Sequence, residues 1–157
     1  MISLFLRNLF FTILQPGIVL GLIPYLLARD KFRDLFHHPF GMYQFAGMIL
    51  FFIGVCIVLY CVYRFAVEGH GTLSPADPTK RLVVKGLYQY SRNPMYIGVV
   101  LALAGEVIFS GSNALFLYTA IISIMFNFFI ILVEEPRLRK DFGEEYITYS
   151  KKVRRWM

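Results

Sequence analysis

Four long apolar runs dominate the chain, and short segments dense in charge separate them. The runs cover residues 9–27, 42–63, 95–109 and 114–133. A helix needs about 20 apolar residues, at 1.5 Å each, to cross a hydrocarbon core of about 30 Å. The pattern therefore predicts four transmembrane helices. Pro16 and Gly17 predict a kink in the first, with neighbouring helices satisfying the freed backbone groups. The first run is too long for a secretory signal core, and no small-residue cleavage pattern follows it, so it is read as a retained helix. The third run falls short of the core thickness, so its helix starts below the membrane surface or the bilayer thins around it.

The segment 110–113 is a tight turn and makes helices three and four an antiparallel hairpin. The ends of that hairpin opposite the turn are then neighbours, which places Arg92 to Tyr96 beside Glu134 and Glu135. Pro94 falls in the first turn of the third helix, and Asn93 is placed to cap it. Glu106 lies near the far end of that helix. An acid inside the bilayer costs about 2.5–3.5 kcal/mol, and the favoured reading is that Glu106 reaches the far interface. Beyond Pro136, Leu138, Phe142, Tyr146 and Tyr149 recur at spacings of four, four and three with charges between them. This predicts an amphipathic helix lying on the membrane surface, with Trp156 as an interfacial anchor. The expected fold class is an all-α integral membrane protein, with four transmembrane helices plus a C-terminal amphipathic interfacial helix. It forms one domain over residues 1–157, an N-terminal helix pair at 1–65 and a more polar half at 66–157.

Composition agrees with a bilayer as solvent. Apolar residues make up 57% of the chain and mean hydropathy is +0.59, beyond an ordinary soluble fold. The net charge of +6 gains meaning from its location. With four spans, 13 of the 16 Lys and Arg residues share the side of the central loop and C-terminal tail, against 3 on the other. The positive-inside rule puts that side in the cytoplasm. The excess reads as topology and attraction to anionic headgroups, and no nucleic-acid partner is expected. Cys56 and Cys61 lie five apart on one helix and cannot pair with each other. The adjacent His37 and His38 face opposite ways on an extended chain and lack a carboxylate at helical spacing, so no metal site is expected. The lone Glu68-Gly69-His70-Gly71 follows a membrane helix, not a strand, and is no dinucleotide fingerprint.

Two polar blocks carry the candidate chemistry: Gly86 to Gly98, GLYQYSRNPMYIG, and Glu134 to Tyr149, EEPRLRKDFGEEYITY. Both abut membrane-grade runs. Tyr88, Tyr90 and Tyr96 offer flat faces for an adenine or a cation. Glu134 and Glu135 offer carboxylates for a ribose hydroxyl, an amine or a sulfonium. These groups suit S-adenosylmethionine. They are equally consistent with an interfacial tyrosine belt and glutamates paired to Arg92, Arg137 or Arg139.

The blocks resemble those of the isoprenylcysteine carboxyl methyltransferases and the related phospholipid N-methyltransferases. The matching residues are Gly86-Leu87-Tyr88, Arg92-Asn93-Pro94-Met95-Tyr96-Ile97-Gly98, Glu134-Glu135, Phe142-Gly143, Tyr146 and Tyr149. The resemblance covers about the last half of the chain. It implies S-adenosylmethionine as cofactor, held without a Rossmann domain by Lys80, Arg81, Leu82, Val83, Tyr88, Asn93, Pro94, Met95, Tyr96 and Glu134. It also implies cofactor entry from the cytosol and a lipid-like substrate from the bilayer. The chain departs from the prenyl-cysteine branch in two places. Asn93 stands where that branch has histidine. Ile130 stands where it has an arginine for the substrate carboxylate.

The expected activity is methyl transfer to a lipidic or small nucleophile at the cytoplasmic membrane border, with membrane lipids as surroundings. Glu134, Glu135 and Arg92 are the candidate catalytic residues. Glu135, or a water held by Glu134, is the candidate base, and Arg92 is the candidate partner that keeps the acids ionised. Two alternatives stand beside this reading: a non-catalytic lipid-binding or scaffold protein that keeps the fold, and a prenyl-cysteine carboxyl methyltransferase.

Overall fold

The computed structural model describes residues 16–35, 40–69 and 81–156. Among them the chain is helix and turn, with no strand. Helix α1, Ile23–Leu35, follows a π-turn at Ile18–Leu22; α2 is Met42–Arg64, α3 Pro94–Ser110, α4 Asn113–Phe129 and α5 Glu135–Lys152. A 3-10 turn, Gly86–Gln89, precedes α3, and a π-turn, Ile130–Glu134, joins α4 to α5. Helix α2 and the helical run that begins at Asn113 are long and apolar enough to cross a membrane. Helix α3 is apolar but has 17 residues, about 26 Å at 1.5 Å each. Large apolar side chains such as Phe52, Phe116 and Leu132 stand exposed on these helices, as a lipid-facing surface requires.

The structure differs from the expectations from sequence at three places. The polar segment between the first two apolar runs begins as helix: only Ala28 leaves helical angles (φ −121°, ψ 16°), and α1 resumes to Leu35. Arg29, Asp30, Lys31, Arg33 and Asp34 are all exposed on it, so the helix keeps its charges off the protein core. The second difference lies at Glu134–Pro136, where the chain does not stop between two helices. The π-turn carries it through, with Glu135 N donating to Ile130 O. Pro136 sits at the start of α5, where its missing N–H does no harm. The break comes later, at Gly143, whose φ of +51° suits glycine. Third, α5 does not lie apart from the rest of the chain: Tyr146 is 1% exposed and packs into the protein. Gly17, where a kink was expected, takes helical angles (φ −63°, ψ −36°); the residues before Pro16, with His37, His38 and His70, lie outside the described residues.

Helices α2 and α3 form the tightest pair. Gly47 and Gly54 on α2 meet Gly105 and Gly98 on α3. A Cβ on Gly54 would lie 2.5 Å from Gly98 O, and one on Gly105 would lie 2.6 Å from Gly47 O. Both helices repeat glycine every seven residues, so backbone meets backbone along one seam. Lipid tails are as apolar as leucine, so a membrane core gains mainly from such packing. Beside the seam Val58, Val99 and Leu103 form a buried cluster flanked by Tyr118, Ile122 and Phe126 of α4. The α3–α4 turn closes as expected. Gly111 takes φ +61°, and Ser112 Oγ caps α4 by accepting from Leu115 N (3.4 Å). Glu106, one turn from the end of α3, has its Oε2 buried without a hydrogen-bond partner among the described residues.

Candidate functional site

The hairpin sets the first amino acids of α3 against the end of α4. Tyr96, one turn into α3, donates its hydroxyl to Glu134 Oε2 at 2.6 Å. Its ring meets Phe126 of α4 edge-on, with centroids 4.8 Å apart. The π-turn matters here. It inserts one residue into the helical register and brings Ile130, fully buried, and Glu134 toward the protein. Burial pushes the Glu134 carboxyl above its usual range, and the neighbouring Glu135 charge adds to that. The Tyr96 hydrogen bond and the Arg137 charge only partly offset it.

Glu135 has different surroundings. Arg155 grips it with both ends of the guanidinium, Nε to Oε1 at 2.7 Å and Nη2 to Oε2 at 3.1 Å. Arg92 Nη1 lies 3.2 Å from Oε1 and also donates to Tyr146 OH at 3.2 Å. Burial alone would raise Glu135. The Arg155 hydrogen bonds and the charges of Arg92, Arg155 and Arg139 outweigh it and hold the group below its usual range. A carboxylate so held is a poor proton acceptor at neutral pH. Its geometry is that of a structural ion pair, and the pairing of Arg92 with an acid is met here.

Asn93 occupies the capping position of α3, but its side chain makes no cap hydrogen bond. Its Nδ2 donates instead to Arg155 O at 2.9 Å. The chain after α5 runs past this corner and supplies the acceptors: Arg92 N donates to Arg154 O at 2.9 Å, and Ser91 Oγ to Arg155 O at 3.2 Å. Pro94 is buried beside them. Met95 packs against two buried clusters, that of Val58 and that of Cys61.

The remaining predicted residues scatter. Val83 and Tyr88 are buried with Cys61, and the Tyr88 ring packs on Phe65 at 5.6 Å. Its faces are therefore used by the protein, while its carbonyl accepts from Tyr149 OH at 2.6 Å. Burial, then the nearby Cys61, pushes the Tyr88 hydroxyl well above its usual range. Arg81 and Tyr90 are exposed. Leu82 lines a pocket of about 340 Å³ with Gln89, Glu145, Tyr149 and Lys152. Lys80 lies outside the described residues. Among the described residues no three His, Cys, Asp or Glu side chains are grouped to hold a metal.

Sequence reasoning missed Ser91, Tyr149 as a strut to Tyr88, and above all Arg155. In the sequence Arg155 is one of the 13 basic residues that share the side of the central loop and C-terminal tail. Its partner stands 20 positions away across a helix that was expected to lie apart on the surface. The signal available was the glycine of Phe142-Gly143, which marks a reversal able to bring the two together.

Residues 42–145 match the family model described as phospholipid methyltransferase. The chain belongs to the phospholipid methyltransferase family. The match holds α2, α3, α4 and the first part of α5, and so Arg92, Tyr96, Glu134 and Glu135. Among curated proteins, Methanethiol S-methyltransferase 1 of Bradyrhizobium diazoefficiens is 29% identical over 114 residues, 70% of this chain and 38% of that protein. An uncharacterized protein of Haemophilus influenzae is 36% identical over 63 residues, 40% of this chain and the whole of that one. No solved structure matches. This member of the phospholipid methyltransferase family thus spans well under half the length of its named enzyme relative.

Proposed function

We propose that the chain is an integral membrane methyltransferase that uses S-adenosylmethionine and acts on a small or lipidic neutral nucleophile, a thiol before an amine. The observation that carries this is the Tyr96–Glu134 pair at the end of the α3–α4 hairpin opposite its turn, inside the segment matched to the family. The thiol preference follows the named activity of the Bradyrhizobium relative. Four spans, with the central loop and the strap after α5 in the cytoplasm, complete the reading; it rests on the apolar runs and the charge asymmetry.

The residues fit the cofactor in donor chemistry. Glu134 offers a half-buried carboxylate, Tyr96 an aromatic face and Met95 an apolar wall, a set suited to a cation with a nucleoside attached. Tyr96, Met95 and Glu134 would hold it, with Asn93 and Pro94 shaping the floor. When bound, S-adenosylmethionine supplies an electrophilic methyl group. The protein's share is alignment, exclusion of water and a place for the acceptor's proton. Glu134, raised by burial, is the group suited to hold that proton. Glu135 and Arg92 keep the corner ionised and rigid.

The test is binding of S-adenosylhomocysteine to purified protein in nanodiscs by isothermal titration. Binding is expected for the native chain and weaker binding for Tyr96→Ala and Glu134→Ala. If both variants bind like the native chain, the site is misplaced.

A further inference from the structure

One feature of the fold belongs to neither the matched segment nor the candidate catalytic set: the strap at residues 153–156, beyond the family match at 42–145. It crosses the corner where α3 starts and α5 starts. Its main chain takes three hydrogen bonds from the loop before α3, from Arg92 N, Ser91 Oγ and Asn93 Nδ2. Ser91 and Asn93 are buried, so these donors have no water to fall back on. Its Arg155 side chain grips Glu135 in two hydrogen bonds. Past Arg155, Trp156 Nε1 donates to Asn127 Oδ1 of α4 at 3.3 Å. One short segment therefore ties the N-terminus of α3 to both helices of the run beginning at Asn113.

We propose that this strap, through Arg155, is the positioning element of the Tyr96–Glu134 site. The proposal rests on the methyltransferase reading above. Asn93, whose amide the strap holds, is three residues before Tyr96. Glu135, which Arg155 holds, is the next residue after Glu134. The Tyr96–Glu134 hydrogen bond at 2.6 Å is thus bracketed by strap contacts, one on each helix. Without Arg155, Glu135 keeps Arg92 as its only direct cationic contact among the described residues, and the strap loses its side-chain anchor to α5. Lysine cannot replace the fork, because one ammonium cannot meet two carboxylate oxygens in a plane. Arg155 touches neither proposed ligand; it acts through Glu135 and the loop.

Trp156 is the sole tryptophan of the chain, so its fluorescence reports strap docking independently of any activity. The experiment compares native protein, Arg155→Ala, Arg155→Lys and the exposed-site control Lys151→Ala in nanodiscs. It reads Trp156 quenching by acrylamide, S-adenosylhomocysteine affinity and helical circular dichroism. Arg155→Ala is expected to raise quenching and weaken affinity by about tenfold, which is about 1.4 kcal/mol, the order of one hydrogen bond to a charged group, with helix content kept. Arg155→Lys is expected to fall between, and Lys151→Ala to match native protein. Released Trp156 with native affinity would make the strap a structural fastening only and overturn the proposal. So would native quenching and affinity in Arg155→Ala. If Arg155→Ala does not fold, folded Arg155→Lys with native affinity overturns it, and intermediate affinity supports it. No binding by native protein would defeat the methyltransferase reading and this proposal together, whereas equal binding by native protein and Arg155→Ala defeats the proposal alone.

Discussion

Substituting Gly54 by alanine tests whether the glycine seam positions the site as well as holding the fold. A Cβ there would lie 2.5 Å from Gly98 O and 2.9 Å from Ala102 Cα, where ordinary contact begins at 3.4 Å. The obstacles are backbone atoms of α3, which cannot rotate aside. Helices α2 and α3 must part by about 1 Å. Overpacking of this kind costs about 1–3 kcal/mol. Alanine's better helix propensity returns about 0.8–1 kcal/mol, leaving a net loss of up to about 2 kcal/mol. Gly21→Ala is the reference, because among the described residues nothing lies within 4 Å of a Cβ at Gly21 and the propensity gain should stand alone. Thermal unfolding in detergent, followed by helical circular dichroism, should give a lower midpoint for Gly54→Ala than for native protein, and an equal or higher one for Gly21→Ala. Because Gly98 is two residues from Tyr96, S-adenosylhomocysteine affinity should fall as well. A Gly54→Ala protein as stable as Gly21→Ala would refute the packing argument.

Three other outcomes are expected. Tyr96→Phe removes the 2.6 Å hydrogen bond to Glu134 and should cost about 1–3 kcal/mol of stability, measured by the same unfolding assay; an unchanged midpoint would deny the bond. Glu135 is held below its usual range by Arg155 and the surrounding arginines despite its burial, so the stability it contributes is present above the unfolded carboxylate value, about pH 4, and is lost as pH falls through the lowered folded value. The stability advantage of native protein over Glu135→Gln should therefore be full at pH 7 and shrink below about pH 4, and an advantage that does not vary with pH would contradict the pairing. Finally, Ile130 is fully buried and gives a carboxylate no cation at the wall one turn before Glu134, where an unpaired buried carboxylate costs several kcal/mol. Farnesylated cysteine should yield little or no methyl ester beside thiol and amine lipids, and efficient ester formation would return the chain to the prenyl-cysteine branch.

The hairpin and its junction with Glu134 were legible because they follow from run lengths and a four-residue turn, features that depend on neighbours in sequence. The α2–α3 seam was not read, although Gly47, Gly54, Gly98 and Gly105 stand seven apart on each helix, because a glycine repeat says nothing about which helix it meets. The continuity of α4 into α5 was hidden by Pro136. A proline normally marks a boundary, but a π-turn just before it removes the clash. The Arg155–Glu135 pair was out of reach because it depends on the reversal at Gly143 and on the path of the strap afterwards. Asn93 shows the same limit at one residue. Its place at the start of α3 was clear, but the direction of its amide is set by a carbonyl 62 positions away. Tyr88 was visible as an aromatic near the site, whereas its burial against Phe65 depends on how the loop folds back on α2.

The most direct measurement is transfer of a radiolabelled methyl group from S-adenosylmethionine to a panel of small thiols, amines and membrane lipids by native protein in nanodiscs, with Glu134→Ala in parallel. The expected result is labelling of at least one thiol or amine acceptor by native protein that is lost in Glu134→Ala. Labelling of no acceptor, together with no binding of S-adenosylhomocysteine, would contradict a methyltransferase built around Tyr96 and Glu134.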